Sequence, residues 1–174
     1  MTTTTIKNII TIIVLMFISF GSSKAQEQHS RAIGLYIDSF TKYLLWPNEP
    51  KEELVVGVYG GAEVHTYLQS VYEGKKIKKV REMEIKLKKF TSVNETSSCD
   101  ILFISKEKSS ELEQINTLIS GLPILVVTCI PGYKSSSAVN IDIENNYHLE
   151  ICSQKIRDIG MKISSALTSI ADEI

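Results

Sequence analysis

Apolar residues recur along this chain with two periods, one typical of helices and one typical of buried strands. Over residues 30–46 the apolar positions fall three or four apart, which predicts an amphipathic helix. We expect this helix to end at Trp46-Pro47, because a residue before proline is driven out of the helical region. Continuous runs rich in β-branched residues predict three strands buried on both faces: Leu54–Tyr59, Asp100–Ile104 and Ile124–Thr128.

The segments between and after these strands predict further helices and a hairpin. Helical spacing of apolar residues covers three of them: Ala62–Tyr72, Ser109–Ser120 and Gln154–Ala171. Strict alternation of apolar and charged residues from Met83 to Lys88 predicts a half-exposed strand at a sheet edge, where charge discourages strand addition. Ala138–Ile143 and Tyr147–Cys152 flank a polar turn and predict a β-hairpin.

This order of elements predicts one α/β domain over residues 26–174. The expected architecture is a three-layer, mostly parallel sheet flanked by helices, closed by a C-terminal hairpin and helix. Ligands in open sheets of this kind bind beyond the carboxyl ends of the strands. Two loops at these ends supply candidate binding residues, and the end of the first helix supplies two more: Gly60, Gly61, Pro131, Gly132, Tyr133, Trp46 and Pro47.

Trp46 has a second interpretation. A lone tryptophan at a helix end is more often a core anchor than a contact residue. The glycines also have a second interpretation. Gly60-Gly61 lacks the full dinucleotide or P-loop spacing and can simply form a tight turn rather than an anion site.

The first 25 residues predict a secretory signal peptide. Lys7 gives a positive start, Ile9–Phe20 is almost wholly apolar, and small residues at positions 23 and 25 precede a cleavage site after Ala25. The apolar run is short compared with the ~20 residues that a membrane span needs. We therefore expect cleavage, export and a periplasmic domain over residues 26–174.

Charge and motifs argue against several functional classes. The net charge of −1 gives no electrostatic footprint for nucleic acid. The lysine-rich stretch from Lys75 to Lys89 is either a solvated edge or a docking surface for an acidic partner or anionic lipid. The three histidines have no serine or cysteine nucleophile at a recognisable spacing, so no catalytic site is expected: His29, His65 and His148. The cysteines have no CxxC spacing and no histidine within a metal-ligand interval, so no metal site or cofactor is expected either. The acidic residues of the hairpin are interpreted as exposed, and a hydrolase is the least supported class.

The chain contains three cysteines, at positions 99, 129 and 152. An odd number in an oxidising compartment leaves at least one thiol free or paired with another molecule. If the first hairpin arm runs antiparallel to the strand before Cys129, then Cys129 and Cys152 share one end of the sheet and form a candidate disulfide. The bridge needs adjacent strands, since an intervening strand separates them by about 9.6 Å, beyond the limit of about 7 Å.

Nine short motifs together resemble the YfiR/HmsC family of periplasmic regulatory proteins, and they cover nearly all of the chain after the signal peptide: Phe40–Pro47, Val56–Gly60, Gly74–Ile77, Cys99–Ile104, Gly121–Leu125, Pro131-Gly132, Asn140–Ile143, Leu149–Ile151 and Lys162–Leu167. The resemblance implies a sandwich-like α/β fold without catalysis. Characterised relatives repress a membrane-bound diguanylate cyclase by binding its extracytoplasmic sensor region. Some relatives use paired cysteines, whereas this chain has three.

Two functional hypotheses follow. The first is a periplasmic adaptor whose partner is a membrane-bound signalling protein, either a diguanylate cyclase or a sensor kinase, with homodimerisation as a further option. The second is a sensor module of the envelope that binds a small molecule through the Gly60-Gly61 turn and the Pro131–Tyr133 loop.

Overall fold

The computed structural model describes residues 26–47, 51–73, 79–130, 136–143 and 146–174. In these residues an eight-stranded sheet carries apolar cores on both faces, and a separate two-stranded sheet joins segments near the two ends of the described chain. The predicted α/β class with a mostly parallel sheet flanked by helices is confirmed.

The elements follow one another in this order: α1 (26–43), β1 (Leu44–Leu45), β2 (Glu53–Tyr59), α2 (Ala62–Tyr72), β3 (Lys79–Val80), β4 (Met83–Phe90), β5 (Ile101–Ile104), α3 (Leu112–Leu118), β6 (Leu125–Thr128), β7 (Val139–Asp142), β8 (His148–Ile151), α4 (Ser153–Asp158), β9 (Lys162–Ile163), α5 (Ser165–Thr168) and β10 (Ala171–Glu173). Two 3-10 segments lie between them, at Val93–Glu95 and Lys106–Glu111.

The strands of the main sheet lie in the order β10-β8-β7-β6-β5-β2-β4-β3. Strands β2, β4, β5, β6 and β7 are mutually parallel, while β3 and β8 run antiparallel to their neighbours β4 and β7. The parallel strands therefore have the 2-1-3-4-5 order of the flavodoxin-like doubly wound sheet. Its topological switch point lies between β2 and β5, because α2 packs on one face of the sheet and α3 on the other.

The two cores result from alternation along the buried strands. In β5, Ile101 and Phe103 face the layer of α1 and α2, whereas Leu102 and Ile104 face α3, and none of the four is more than 1% exposed. A strand with both faces covered has no polar position, which is why the run is continuously apolar.

The first helix ends earlier than the pattern predicts. Helix α1 stops at residue 43, and Leu44 and Leu45 form β1, which pairs antiparallel with Ile163 and Lys162 of β9. The backbone N–H of Ser164 also donates to the carbonyl of Tyr43 at 3.0 Å. A tertiary strand pair thus replaces the last predicted helical turn.

The predicted C-terminal helix over Gln154–Ala171 is wrong. Helix α4 stops before Gly160, whose φ of +79° suits a glycine after a helix end. Residues 162–163 then form β9, and the Ser164 hydroxyl caps the short helix α5. The apolar spacing that predicted one helix instead runs through two short helices and two strands.

The predicted hairpin is confirmed, but its orientation is the reverse of the prediction. Strand β7 is parallel to β6, with Val127 opposite Val139, and β8 is antiparallel to β7. The connection after β6 is therefore long enough for a parallel crossover.

The candidate Cys129–Cys152 disulfide is not formed, and all three cysteines are free. Strand β7 lies between the strands that precede the two residues. Cys152 pairs by backbone with Ala138, before β7, whereas Cys129 follows the far end of β6. The two cysteines are therefore separated both across the sheet and along it, beyond the reach of a bridge.

The lysine-rich strand β4 lies second from the sheet edge. Met83 and Ile85 are buried and Lys88 is exposed, as the alternation predicts, but the predicted edge position is wrong because β3 lies outside β4. Among the residues of the described ranges, β3 pairs only with Met83 and Glu84.

Candidate functional site

An open cleft of ≈ 420 Å³ lies at the switch point, beyond the carboxyl ends of β2, β5 and β6, and we call it the switch-point cleft. Residues from α1 and the start of α2 form its other walls. Its lining is Gln26, His29, Ser30, Ile33, Gly61, Glu63, Val64, Phe103, Ser105, Lys106, Glu107 and Cys129. The topology therefore brings the predicted glycine turn together with the loop after β5 and with Cys129.

The Gly60-Gly61 turn connects β2 to α2 in a conformation that requires glycine. Both residues have positive φ, +75° and +60°. A Cβ atom on Gly60 would lie 2.1 Å from the Ser105 hydroxyl oxygen, so no larger residue fits. The turn is therefore built for close approach of the loop that follows β5.

A carboxylate of the chain itself lies at the start of α2. The Gly61 N–H donates to Glu107 Oε1 at 2.9 Å, and the Glu107 side chain is exposed to solvent. This is the position that an anion takes at a helix N-terminus. An external anion that used this amide would have to displace Glu107.

The segment after β5 is held firmly against β2. The backbone N–H of Ser105 donates to the carbonyl of Tyr59 at 3.1 Å. The Tyr59 hydroxyl donates to the Glu111 carboxylate, and Lys108 Nζ lies 3.0 Å from Glu111 Oε1 and 4.8 Å from the centre of the Tyr59 ring. Burial and the neighbouring Glu111 raise the pKa of Tyr59, whereas the donated hydrogen bonds lower the pKa of Glu111. These contacts fix the backbone beside the switch-point cleft.

The buried thiols are poor nucleophiles. Burial raises the pKa of Cys129, although the Lys106 backbone N–H acts in the opposite direction. Burial, with a smaller contribution from Asp100, raises the pKa of Cys99 to about 12. Since the thiolate is the reactive form, both side chains act as apolar packing groups near neutral pH.

A buried polar network on β6, β7 and β8 was not predicted from the sequence. Asn140 Oδ1 accepts from Thr128 Oγ1 at 2.9 Å and from the Ile130 N–H at 3.0 Å, while its Nδ2 donates to Glu150 Oε2 at 2.8 Å. The Ser137 hydroxyl lies 2.9 Å from Thr128 Oγ1. Glu150 is only 3% exposed, so its interpretation as an exposed hairpin acid is wrong.

A family model described as YfiR/HmsC-like matches residues 31–172. The chain belongs to the YfiR/HmsC-like family. The match runs from within α1 into β10, and it includes the buried network and the lining of the switch-point cleft from Ile33 to Cys129. No curated protein matches the chain. The resemblance inferred from the sequence motifs is thereby confirmed.

The other candidate residues of this YfiR/HmsC-like domain lie apart from the switch-point cleft. Trp46 is 3% exposed and belongs to the core beneath α1 and α2, as expected of an anchor. Pro47 is exposed and borders a separate small cavity of ≈ 210 Å³ with Leu45, Gly160 and Lys162. Pro131, Gly132 and Tyr133 lie outside the described residues.

The described residues of the YfiR/HmsC-like domain contain neither a metal-binding cluster nor a membrane-spanning helix. No group of three or more His, Cys, Asp or Glu side chains is arranged to hold a metal ion there. In the same residues no helix has both the length and the hydropathy needed to cross a membrane.

Proposed function

We propose that this protein is a periplasmic regulator that restrains a membrane-bound diguanylate cyclase by binding the extracytoplasmic region of that enzyme. The observation that carries the proposal is the YfiR/HmsC-like match, which extends over residues 31–172. The proposal therefore rests on a match over most of the chain rather than on one motif.

The chemistry of the described side chains supports binding rather than catalysis. The thiols of Cys99 and Cys129 are buried with raised pKa values, and the Tyr59 phenol is engaged by Glu111. The polar cluster around Asn140 is enclosed in the core. Thiols with raised pKa values are not in the reactive thiolate form near neutral pH, and a polar cluster enclosed in the core stabilises the scaffold.

An exposed apolar surface around the buried Trp46 is the partner contact that we propose. Tyr43 and Leu45 are each 43% exposed, and Pro47 beside them is exposed too. We call these three residues the β1 patch. Beneath it, Trp46 and the β1–β9 pairing fix the backbone, so the patch is presented on a rigid support. Exposed apolar groups held in this way are typical of protein contact sites.

Cellular cyclic-di-GMP tests the regulatory role. Deletion of the gene should raise the cyclic-di-GMP concentration, and the full-length chain should restore it. A version that begins at residue 26 tests the predicted signal peptide, because it should remain in the cytosol and fail to restore the level. Unchanged cyclic-di-GMP after deletion, with the protein normally expressed in the parent strain, would contradict the proposal.

A matched pair of surface variants tests the β1 patch. Leu45→Glu places a charge within the patch, whereas Leu122→Glu places one at a leucine of similar exposure, 38%, near α3. Both variants should fold, since both side chains are exposed. Leu45→Glu alone should lose cross-linking to the cyclase and derepress it. Equal effects of the two variants would exclude the β1 patch as the contact.

A further inference from the structure

We propose that the Gly60-Gly61 turn and Ser105 form a binding site for a small carboxylate with an apolar body, and that Glu107 occupies the carboxylate position in the unliganded protein. The proposal concerns binding by the isolated protein. It therefore stands or fails independently of the cyclase partnership.

The topology places this turn where doubly wound sheets bind ligands. The cleft lies at the switch point between β2 and β5, outside the carboxyl ends of the strands. Helix α2, with 11 residues, begins there and directs its first N–H groups and the positive end of its dipole at the cleft. These features favour a negatively charged group at the turn.

The Ser105 hydroxyl provides an independent indication of a ligand. Ser105 is 7% exposed, and its Oγ has no hydrogen-bond partner within the described ranges. The oxygen points at the turn, where it lies 2.1 Å from the position that a Cβ of Gly60 would take. A buried hydroxyl without a partner costs free energy that a hydrogen bond to a ligand oxygen would recover.

Glu107 indicates which anion fits. Its carboxylate accepts the Gly61 N–H at 2.9 Å, so the turn already accommodates a carboxylate. The contact is exposed to solvent, and exposed hydrogen bonds of this kind are weak enough to be exchanged. Lys106 adds a positive charge at the rim. Glu63 opposes it, although its carboxylate is engaged by Gln26 Nε2 at 2.7 Å.

The floor of the cleft indicates the rest of the ligand. Ile33, Val64 and Phe103 line the cleft and belong to the apolar core. The volume of ≈ 420 Å³ falls within the range of about 300–1,000 Å³ for small-molecule sites. A ligand with one apolar ring or a short apolar chain attached to its carboxylate would occupy both the glycine turn and the apolar floor of the cleft.

Isothermal titration of residues 26–174 with four probes at constant ionic strength tests the site. Benzoate carries both the carboxylate and an apolar ring. Acetate carries the carboxylate without the ring, benzyl alcohol carries the ring without the carboxylate, and phosphate is an anion of a different kind. Glu107→Ala should bind benzoate about fivefold more tightly than the parent protein, because the competing carboxylate is gone. Acetate, benzyl alcohol and phosphate should each bind more weakly than benzoate.

Two further variants make the test decisive. Glu113→Ala removes an exposed carboxylate elsewhere and should leave benzoate binding unchanged. Ser105→Ala, added to Glu107→Ala, should reverse most of the gain. The proposal fails if Glu113→Ala increases the affinity for benzoate as much as Glu107→Ala does. It also fails if adding Ser105→Ala leaves that affinity unchanged, or if phosphate binds as tightly as benzoate.

Discussion

Replacing Asn140 by alanine tests how far the buried network supports the fold. Asn140 is 1% exposed and makes three hydrogen bonds, which connect β7 with β6, with the chain after β6 and with β8. Two partners are neutral groups, Thr128 and the Ile130 N–H, and the third is the carboxylate of Glu150. Alanine removes all three contacts at once.

The expected loss follows from the number and type of these bonds. A buried neutral hydrogen bond contributes about 1 kcal/mol and one to a charged group about 2 kcal/mol, so we expect the free energy of unfolding to fall by about 4 kcal/mol. The loss is a large fraction of the total free energy of unfolding of a domain, which is about 5–15 kcal/mol. The stranded partners, Ile130 N–H and Glu150, make this a lower bound.

Urea unfolding at pH 7 measures the loss. With a slope of about 2 kcal/mol per molar urea, the midpoint should fall by about 2 M. Asn116→Ala is the matched control, since Asn116 makes one hydrogen bond, to the Ser136 carbonyl at 2.7 Å, and should lose about 1 kcal/mol. If Asn140→Ala loses no more than Asn116→Ala, the network does not carry the stability that its geometry implies.

Three further outcomes follow from the same reasoning. Ser105→Ala should leave thermal stability unchanged or raise it, whereas Ser137→Ala, which removes a partnered hydroxyl, should lower the free energy of unfolding by about 1 kcal/mol; equal losses would be inconsistent with an unpartnered Ser105. Under native conditions at pH 8 a thiol reagent should modify the half-buried Cys152 first, and two thiols should react only after unfolding: Cys99 and Cys129. Burial, with a smaller contribution from Lys89, lowers the pKa of His65 below 6.5, so the free energy of unfolding should decline as the pH falls through and below that value. The variant His65→Gln should flatten this decline, measured as the urea midpoint at each pH. An unchanged pH profile would exclude a contribution from His65.

The parts of the fold that could be predicted are those where one pattern decides the outcome. Within the predicted strand Asp100–Ile104, the residues Ile101–Ile104 are all apolar, and only a strand covered on both faces explains this. The glycines at 60 and 61 mark the turn at the carboxyl end of β2, as the structure has it. That these glycines lie beside the loop after β5 could be predicted from the parallel order of the strands alone.

The parts that could not be predicted depend on contacts between distant residues. Strand β1 exists because Leu44 and Leu45 find Ile163 and Lys162, and no local pattern signals that pair. Gly160 argues against a long C-terminal helix, but the prediction gave more weight to the apolar spacing on either side of it.

The same limit applies to the candidate site. Glu150 reads as an exposed acid in an alternating strand, and only the position of Asn140 on β7 shows why a carboxylate is tolerated in the core. The role of Glu107 likewise appears only when the loop after β5 is folded against the turn.

The short β1–β9 ladder also governs when this chain can finish folding. Its two strands come from near the start and near the end of the described residues, so closing it means closing a loop that contains every strand of the main sheet except β10. A chain that stops before Lys162 lacks the strand that pairs with Leu44 and Leu45, although Arg81 still donates to the Leu44 carbonyl at 2.7 Å. The end of α1 therefore gains its backbone pairing only after β9 has been synthesised.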